Sequence, residues 1–458
     1  MTKHTKIKYN SGVIPVPIYT KPHHCGGECI YCPKKRGFPN SYLDNEDTLF
    51  AKTNDYSSVA QFTRFQNRLG NSCQDIYPFE IIVLGGSFSS LDKSYRAQFL
   101  SELYNEMLEA KQHTNIAKQG YVKPQCLPSV VTVESRPDQI NKQECDFLRQ
   151  IGVSKVELGI QHTSDEILKF NKRGHDQSTV VRATRLLKDE GFKVGYHIMV
   201  GLPSANFNDD YKMLSTTLWE DGYSPDFLKI YPCILLSDPL LQPELVRLYE
   251  TGKWRPLDYK SLVKLLYMAS NKIPSYVRIS RIQRQFDNKL IRAGVKHGLR
   301  CQLDKGFTDI RAREVGKLSH KIALGDVEPI NTRIMRQAKD MYIEIIGKDS
   351  VLLGYLRLRI LKNKQLMIRE LKVLGEASPI GSGNYIQGKG LGSQLLNIVE
   401  SIGLSMEIKK VFVNASPGAR PYFIKYGYES TISALLVKQL VHKSEDNKLI
   451  GEFICQQS

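Results

Sequence analysis

Short runs of apolar, often β-branched residues recur along the first half of the chain. Each is followed by a longer segment whose apolar positions return every three or four residues. The runs cover 14–19, 80–84, 130–134, 155–160, 194–200 and 227–231, and helical patterns between them include 94–112, 138–151, 179–190 and 208–220. Strands alternating with helices imply a parallel sheet with right-handed crossovers, which closes naturally into a barrel or partial barrel. The pattern therefore predicts an α/β fold beginning with a (βα)6 partial barrel. From about 257 to 313 the alternation stops: a helical pattern at 261–272 leads into a basic stretch where Arg278, Arg281 and Arg284 recur every third residue. Long strand-like runs at 341–346, 352–361 and 366–374 follow, then glycine-rich sequence, a helix at 393–402 and a strand at 410–414. These shifts divide the chain into a basic N-terminal segment (1–75), the remainder of the barrel (76–256), a basic linker region (257–316) and a second, α+β domain (317–458).

In such barrels chemistry sits at the carboxyl ends of the strands, so the residues after each run carry the information. The first run leads to Cys25, Cys29 and Cys32, spaced C-x3-C-x2-C. Three thiolates on one loop can hold three irons of a [4Fe-4S] cluster and leave the fourth iron open, and Gly26 and Gly27 let the loop fold back on itself. The alternative is structural zinc, which would recruit His23 or His24 as a fourth ligand. Gly85 and Gly86 follow the second run, putting bare backbone where a side chain would block a ligand. Glu134 and Arg136 end the third run, Gln161 the fourth, Gly201 the fifth, and Lys229 and Tyr231 the sixth.

Lys plus Arg is 64 against 47 Asp plus Glu, a net charge of +17, which suits a polyanionic partner such as nucleic acid. Arg278, Arg281 and Arg284, with Lys34, Lys35 and Arg36 beside the cysteine loop, are the candidate nucleic-acid contacts. Nine cysteines, six of them scattered singly, are no disulfide framework, and neither a long apolar run nor a secretory leader is present. A reducing, cytoplasmic setting without a membrane is expected. His297 and Cys301, with His320, have a spacing that suits a second metal such as zinc. In the second domain, Gln387, Gly388, Lys389, Gly390 and Gly392 precede a helix, where backbone N–H groups make a cradle for a pyrophosphate.

The cysteine spacing, with Tyr31 before the last cysteine, resembles the radical S-adenosylmethionine (radical SAM) signature. Gln387 to Gly392 resembles the Q-x-x-G-x-G acetyl-coenzyme A loop of GNAT acetyltransferases, and Tyr422 to Tyr428 resembles the aromatic close of that domain. Both halves together are similar to the catalytic subunit of the Elongator complex and its free-standing bacterial and archaeal relatives. Glu134-Ser135-Arg136-Pro137-Asp138, Asn171-Lys172-Arg173-Gly174-His175, Leu228-Lys229-Ile230-Tyr231-Pro232 and Arg369-Glu370-Leu371 carry the match.

The resemblance implies 5-carboxymethylation of the wobble uridine of tRNA, met through its anticodon stem-loop, by a SAM-derived 5′-deoxyadenosyl radical acting on the methyl group of acetyl-CoA. It implies an electron donor and leaves room for a homodimer. On this basis Cys25, Cys29 and Cys32 ligate the cluster, and Gly85, Gly86, Glu134, Arg136 and Gln161 are candidate SAM contacts. The glycine loop holds CoA. Lys229 is a candidate for the acetyl carbonyl or the uridine, with Tyr231 packing the base, Glu370 a general base and Tyr422 a partner of the thioester. Two departures stand out. The cysteine spacing is more compact than in eukaryotic members, and Phe423 replaces a tyrosine, which excludes a hydroxyl role there. The rival readings are a protein lysine acetyltransferase and a tRNA-binding module with decayed active sites.

Overall fold

The protein is described by a computed structural model covering residues 12–69, 78–112, 127–284, 286–296, 306–318, 331–375 and 389–441. The six expected strands form where the pattern puts them: β1 (Ile14–Tyr19), β2 (Phe79–Leu84), β3 (Val130–Ser135), β4 (Lys155–Gln161), β5 (Lys193–Val200) and β6 (Phe227–Pro232). A seventh, β7 (Arg278–Ile282), pairs in parallel with β6 and completes a parallel sheet ordered β1 to β7. The outward residues Val156, Leu158, Ile160, Val194, Tyr196 and Ile198 are fully buried beneath the helices, the ordinary core of such a sheet.

Polar caps set where the helices begin. Asn141 Oδ1 accepts the Glu144 backbone N–H at 2.9 Å, so the third crossover helix starts at Lys142 rather than 138, after a 3-10 turn at Pro137–Gln139. Asp176 caps the helix Gln177–Asp189 through the Thr179 N–H, and Asn206 with Asp209 forms a capping box on Phe207–Ser215.

The second domain is a seven-stranded sheet built on β8 (Asn331–Gln337), β9 (Asp340–Ile346), β10 (Leu352–Leu361), β11 (Gln365–Val373) and β12 (Lys410–Val413). It is completed by β13 (Glu429–Ser430) and β14 (Leu436–Gln439). All its pairs are antiparallel except β11 with β12, which run in parallel register from Gln365↔Lys410 to Ile368↔Val413 and then part. The helix Leu391–Ser405 packs on this sheet through Leu395, Leu396 and Val399.

The two domains meet at the amino-terminal mouth of the barrel. Asp226, at the start of β6 and 2% exposed, accepts the Val194 N–H at 2.8 Å and is bracketed by two arginines of the other domain. Arg369 reaches it at 2.5 and 2.9 Å and Arg357 at 3.4 Å. Lys188–Asp340 (2.8 Å), Arg359–Asp189 (2.6 Å) and Arg313–Glu344 (2.8 Å) extend the seam. Ser416 reaches across as well, accepting the Val131 N–H at 3.1 Å.

The basic stretch corrects the sequence reading at Arg278. It forms β7 over Arg278–Ile282, with Arg284 just beyond, and the strand separates its arginines. Arg278 lies at the amino mouth in a buried pair with Glu314 at 2.6 Å, removing it from the candidate nucleic-acid contacts. Arg281 and Arg284 are at the other end. His297, Cys301, His320, Gln387 and Gly388 lie outside the described residues. Among the described residues no helix is long and apolar enough to cross a membrane.

Replacing Asp226 by Asn removes the carboxylate that two buried guanidiniums share, leaving Arg357 to Glu370 and Arg369 to Asp340, and should cost about 3 kcal/mol, read as a lowered midpoint of chemical unfolding. Acid should loosen the same seam. Although burial alone would raise it, Arg369, Lys188 and Arg359 hold the Asp340 carboxyl down at about 2, below its ordinary 3.8. The stabilisation is therefore full above that ordinary value and fades as pH falls toward about 2, which unfolding followed across that window will measure.

Candidate active site in the barrel lumen

Side chains alternate along a strand, so every second residue of β1 to β7 faces the barrel axis. In closed barrels these positions are packed with aliphatic groups. Here many are charged, and they line a cavity of about 1120 Å³ that runs from the cysteine loop to the second domain. Glu80, Lys155 and Lys193 lie near the amino mouth, Glu157, His197 and Lys229 in the middle, and Glu134, Gln161 and Tyr231 toward the carboxyl rim.

The charges are largely matched. Glu157, 2% exposed, meets Lys155 at 3.1 Å, His197 Nε2 at 2.9 Å and Lys229 at short range. Burial alone would raise its pKa, but Lys229, Lys155 and His197 hold it well below the usual carboxylate range. Burial and Lys229 together lower His197, which favours the neutral imidazole. Glu134 accepts the Tyr42 hydroxyl at 3.0 and 3.1 Å. Glu134, Glu157 and His197 bring three potential metal ligands within 4.8 Å of one another, but Lys155 and Lys229 already neutralise Glu157.

At the carboxyl rim, Cys25, Cys29 and Cys32 line the cavity. Arg173 Nη1 lies 3.3 Å from Cys29 Sγ; burial opposes ionisation of that thiol, but Arg173 outweighs it and lowers the pKa. Burial, then the neighbouring Cys29 and Cys25, pushes Cys32 up to about 12. Three thiolates together therefore need a cationic partner. Arg136 adds a buried Nη1 without a hydrogen-bond partner, directly over Gly27, where a Cβ would sit 2.4 Å from it. A donor set of three sulfurs flanked by two arginines fits an anionic iron-sulfur cluster. It fits four-ligand zinc less well, because His23 Nε2 is 2.8 Å from the Ser87 carbonyl and His24 Nδ1 accepts the Gly26 N–H.

Gly85 and Gly86 have φ of +139° and +96°, and a Cβ on Gly85 would meet Thr20 Oγ1 at 2.2 Å. At Gly85 the close neighbour is Thr20, whereas a Cβ on Gly86, which lines the cavity, would meet only ordinary contacts at 3.8–4.0 Å. Gln161 also has positive φ (69°), at a bulge that turns it into the cavity.

At the amino mouth the cavity continues onto the parted ends of β11 and β12, lined by Arg369, Glu370, Leu371, Asn414, Ala415 and Ser416. Glu370 is paired with Arg357 at 2.9 Å, which weakens it as a free base. Gly390, with φ of +81°, caps the helix at Leu391, and Lys389 beside it is exposed. The Tyr422 hydroxyl is buried, unpartnered and stacked over Gly392, where a Cβ would approach it to 2.2 Å. An orphaned donor above a glycine helix start suits a thioester and its phosphate arm.

The remaining basic candidates divide. Lys34 and Arg36 are exposed beside the rim, whereas Lys35 is paired with Asp44 at 2.6 Å. Arg281 lines the cavity and Arg284 packs on Tyr42 and bonds Ser41 at 2.7 Å. The sequence reading named Glu134 and Lys229 and placed Arg173 in a family motif without a role, but gave no part to Glu80, Lys155, Glu157, Lys193 or His197. The signal was there, as polar residues at every second position of otherwise apolar strands.

Three matches to family descriptions cover the chain: the Radical SAM superfamily (residues 19–215), the Radical_SAM C-terminal domain (225–305) and the Acetyltransferase (GNAT) domain (326–443). The tRNA uridine(34) acetyltransferase of Methanocaldococcus jannaschii is 30% identical over 92% of this chain and 83% of its own length. Elongator complex protein 3 of Schizosaccharomyces pombe is 29% identical over 92% and 84% respectively. The solved structure of Methanocaldococcus infernus Elp3 with an N-terminal deletion superposes with a TM-score of 0.74 at 25% identity, covering 94% of this chain and all of that one. Radical SAM and GNAT domains imply a [4Fe-4S] cluster, SAM and acetyl-CoA. The chain belongs to the family of Elongator complex protein 3 and the tRNA uridine(34) acetyltransferases.

Proposed function

We propose that the protein is a tRNA wobble-uridine 5-carboxymethyl synthase. The observation that carries this reading is that one cavity is lined at one end by the cysteine triad and at the other by the parted strands of the GNAT sheet. A protein lysine acetyltransferase would need that parting open to a partner's side chain; here it faces the barrel lumen. The names of the relatives support tRNA as the substrate, and the exposed Lys34, Arg36 and Arg281 at the rim supply cations for its phosphates.

When bound, the cluster and SAM would supply a 5′-deoxyadenosyl radical that takes hydrogen from the acetyl methyl group; joining that carbon to carbon 5 of uridine would release the C5 proton and return one electron to the oxidised cluster, and thioester hydrolysis would leave the carboxymethyl group. The chain's own residues do the rest. Cys25, Cys29 and Cys32 would hold the cluster, Arg173 would balance its charge, and Arg136, paired with Asp138, would offer its free Nη1. Gly85, Gly86, Glu134 and Gln161 shape and line the SAM position. Lys229 and Glu157 fix His197, against which Tyr231 packs edge-on at 5.6 Å, giving the base an aromatic wall. Gly390, Gly392 and Tyr422 receive acetyl-CoA. An electron donor is required, and a homodimer is compatible with the reading.

After anaerobic reconstitution with iron and sulfide, incubation with SAM, acetyl-CoA, dithionite and tRNA should give carboxymethyluridine by nucleoside mass spectrometry. A modified nucleoside that forms without SAM, or acetyl-CoA hydrolysis indifferent to tRNA, would overturn the reading. Cys29→Ala should abolish modification while leaving acetyl-CoA binding within about twofold, since the two sites are at opposite ends of the lumen. Gly392→Leu should do the reverse, weakening acetyl-CoA binding at least tenfold while the cluster's absorbance is retained, because its side chain would occupy the space under the Tyr422 hydroxyl.

A further inference from the structure

Among the described residues that line the lumen, Lys193 is the most deeply buried lysine without a carboxylate partner. Lys193, on β5 and 6% exposed, donates to Ser154 Oγ at 3.1 Å, and among the described residues no carboxylate lies within ion-pair distance of it. Lys155 and Lys229, by contrast, are each paired with Glu157. An ammonium buried without an anion is costly unless something else supplies the negative charge.

Its position says what that is. The residues just before β5 rest on the point where β11 and β12 part. A Cβ on Gly191 would meet Met367 Sδ at 2.7 Å and Asn414 Cβ at 2.9 Å, and the Phe192 carbonyl accepts from Arg369 at 3.3 Å. Ser154 Oγ, which holds Lys193, is 2.7 Å from Ser416 Oγ of the GNAT domain. The ammonium is thus fixed by a hydrogen-bond chain that crosses the domain seam and ends beside the parted strands. Lys229, considered from sequence for the acetyl carbonyl, is already committed to Glu157.

We infer that Lys193 binds the acyl oxygen of the thioester at the amino mouth of the lumen, a role that rests on the acetyl-CoA reading above. In the hydrolytic step water adds to the acyl carbon and that oxygen takes up negative charge. The carbon–sulfur bond then breaks, CoA leaves as its thiol with one proton, and the other proton passes to solvent. A fixed ammonium stabilises the charged oxygen more than the neutral carbonyl, so it accelerates the step as well as binding the substrate.

The test compares acetyl-CoA with CoA by calorimetry on the full chain. Lys193→Met keeps length and removes charge. It should weaken acetyl-CoA about tenfold with CoA unchanged and lower the kcat of tRNA-dependent thioester hydrolysis, whereas Lys193→Arg should recover part of the acetyl-CoA affinity. Burial depresses the Lys193 pKa to about 8. Glu370 on β11 and Glu80 on β2 oppose that fall, while Lys155 on β4 and Lys372 on β11 add to it. The wild-type advantage of acetyl-CoA should therefore fade as pH rises through about 8 and be flat in Lys193→Met.

Equal losses for both ligands in Lys193→Met, or none, would overturn the proposal while leaving the acetyl-CoA reading intact. Wild-type protein that binds neither ligand would overturn both. Ser416→Ala, which breaks the positioning chain but retains the ammonium, guards against misfolding of the first variant. It should shift the pH at which the preference fades, and an unmoved profile would count against the chain.

Discussion

Asp226 is the constraint on which the two-domain arrangement rests. One carboxylate at the start of β6 is shared between its own sheet, through the Val194 N–H, and Arg369 and Arg357 of the other domain. Arg357 in turn holds Glu370, and its guanidinium lies over the rings of Phe227, Tyr342 and Tyr355. A buried ion group of this kind adds little net stability over an apolar seam but strongly penalises any other alignment. It fixes the central strands β10 and β11 of the GNAT sheet against the barrel, so that the parted strands and the lumen form one space.

From that arrangement follows the unusual lining of the barrel. An axis filled with aliphatic side chains would separate the two chemistries. Charged residues at alternate positions keep it polar, and their mutual pairing keeps most of them ionised despite burial. Lys193 and His197 are four residues apart on β5, so about 13 Å of lumen separates the amino mouth from the middle. The space an acyl group must cross is short. One cavity is thus lined by both the radical SAM barrel and the GNAT sheet, which is the physical basis of the proposed function.

Much of this was legible in the sequence. The six strands follow from periodicity, the glycine pair at 85 and 86 marks backbone with positive φ, and the cysteine loop declares itself by spacing. β7 was not legible, because three arginines at every third residue mask an alternation that the bulge between β6 and β7 also disturbs. Nor was the seam, since Asp226 and Arg369 are 143 residues apart and neither has a local signature. Arg278 shows the cost of reading charge without topology. It belongs to Glu314 and the domain seam, not to a nucleic-acid surface.

The most direct measurement of the central claim uses acetyl-CoA fully deuterated at the methyl group, with reconstituted enzyme, SAM, reductant and tRNA. If the acyl group held by the GNAT domain is what the radical attacks in the lumen, deuterium should appear in 5′-deoxyadenosine, in step with deuterated carboxymethyluridine. Deoxyadenosine that stays unlabelled while the tRNA is modified would contradict the account, because the carbon added to uridine would then have been activated by some other route.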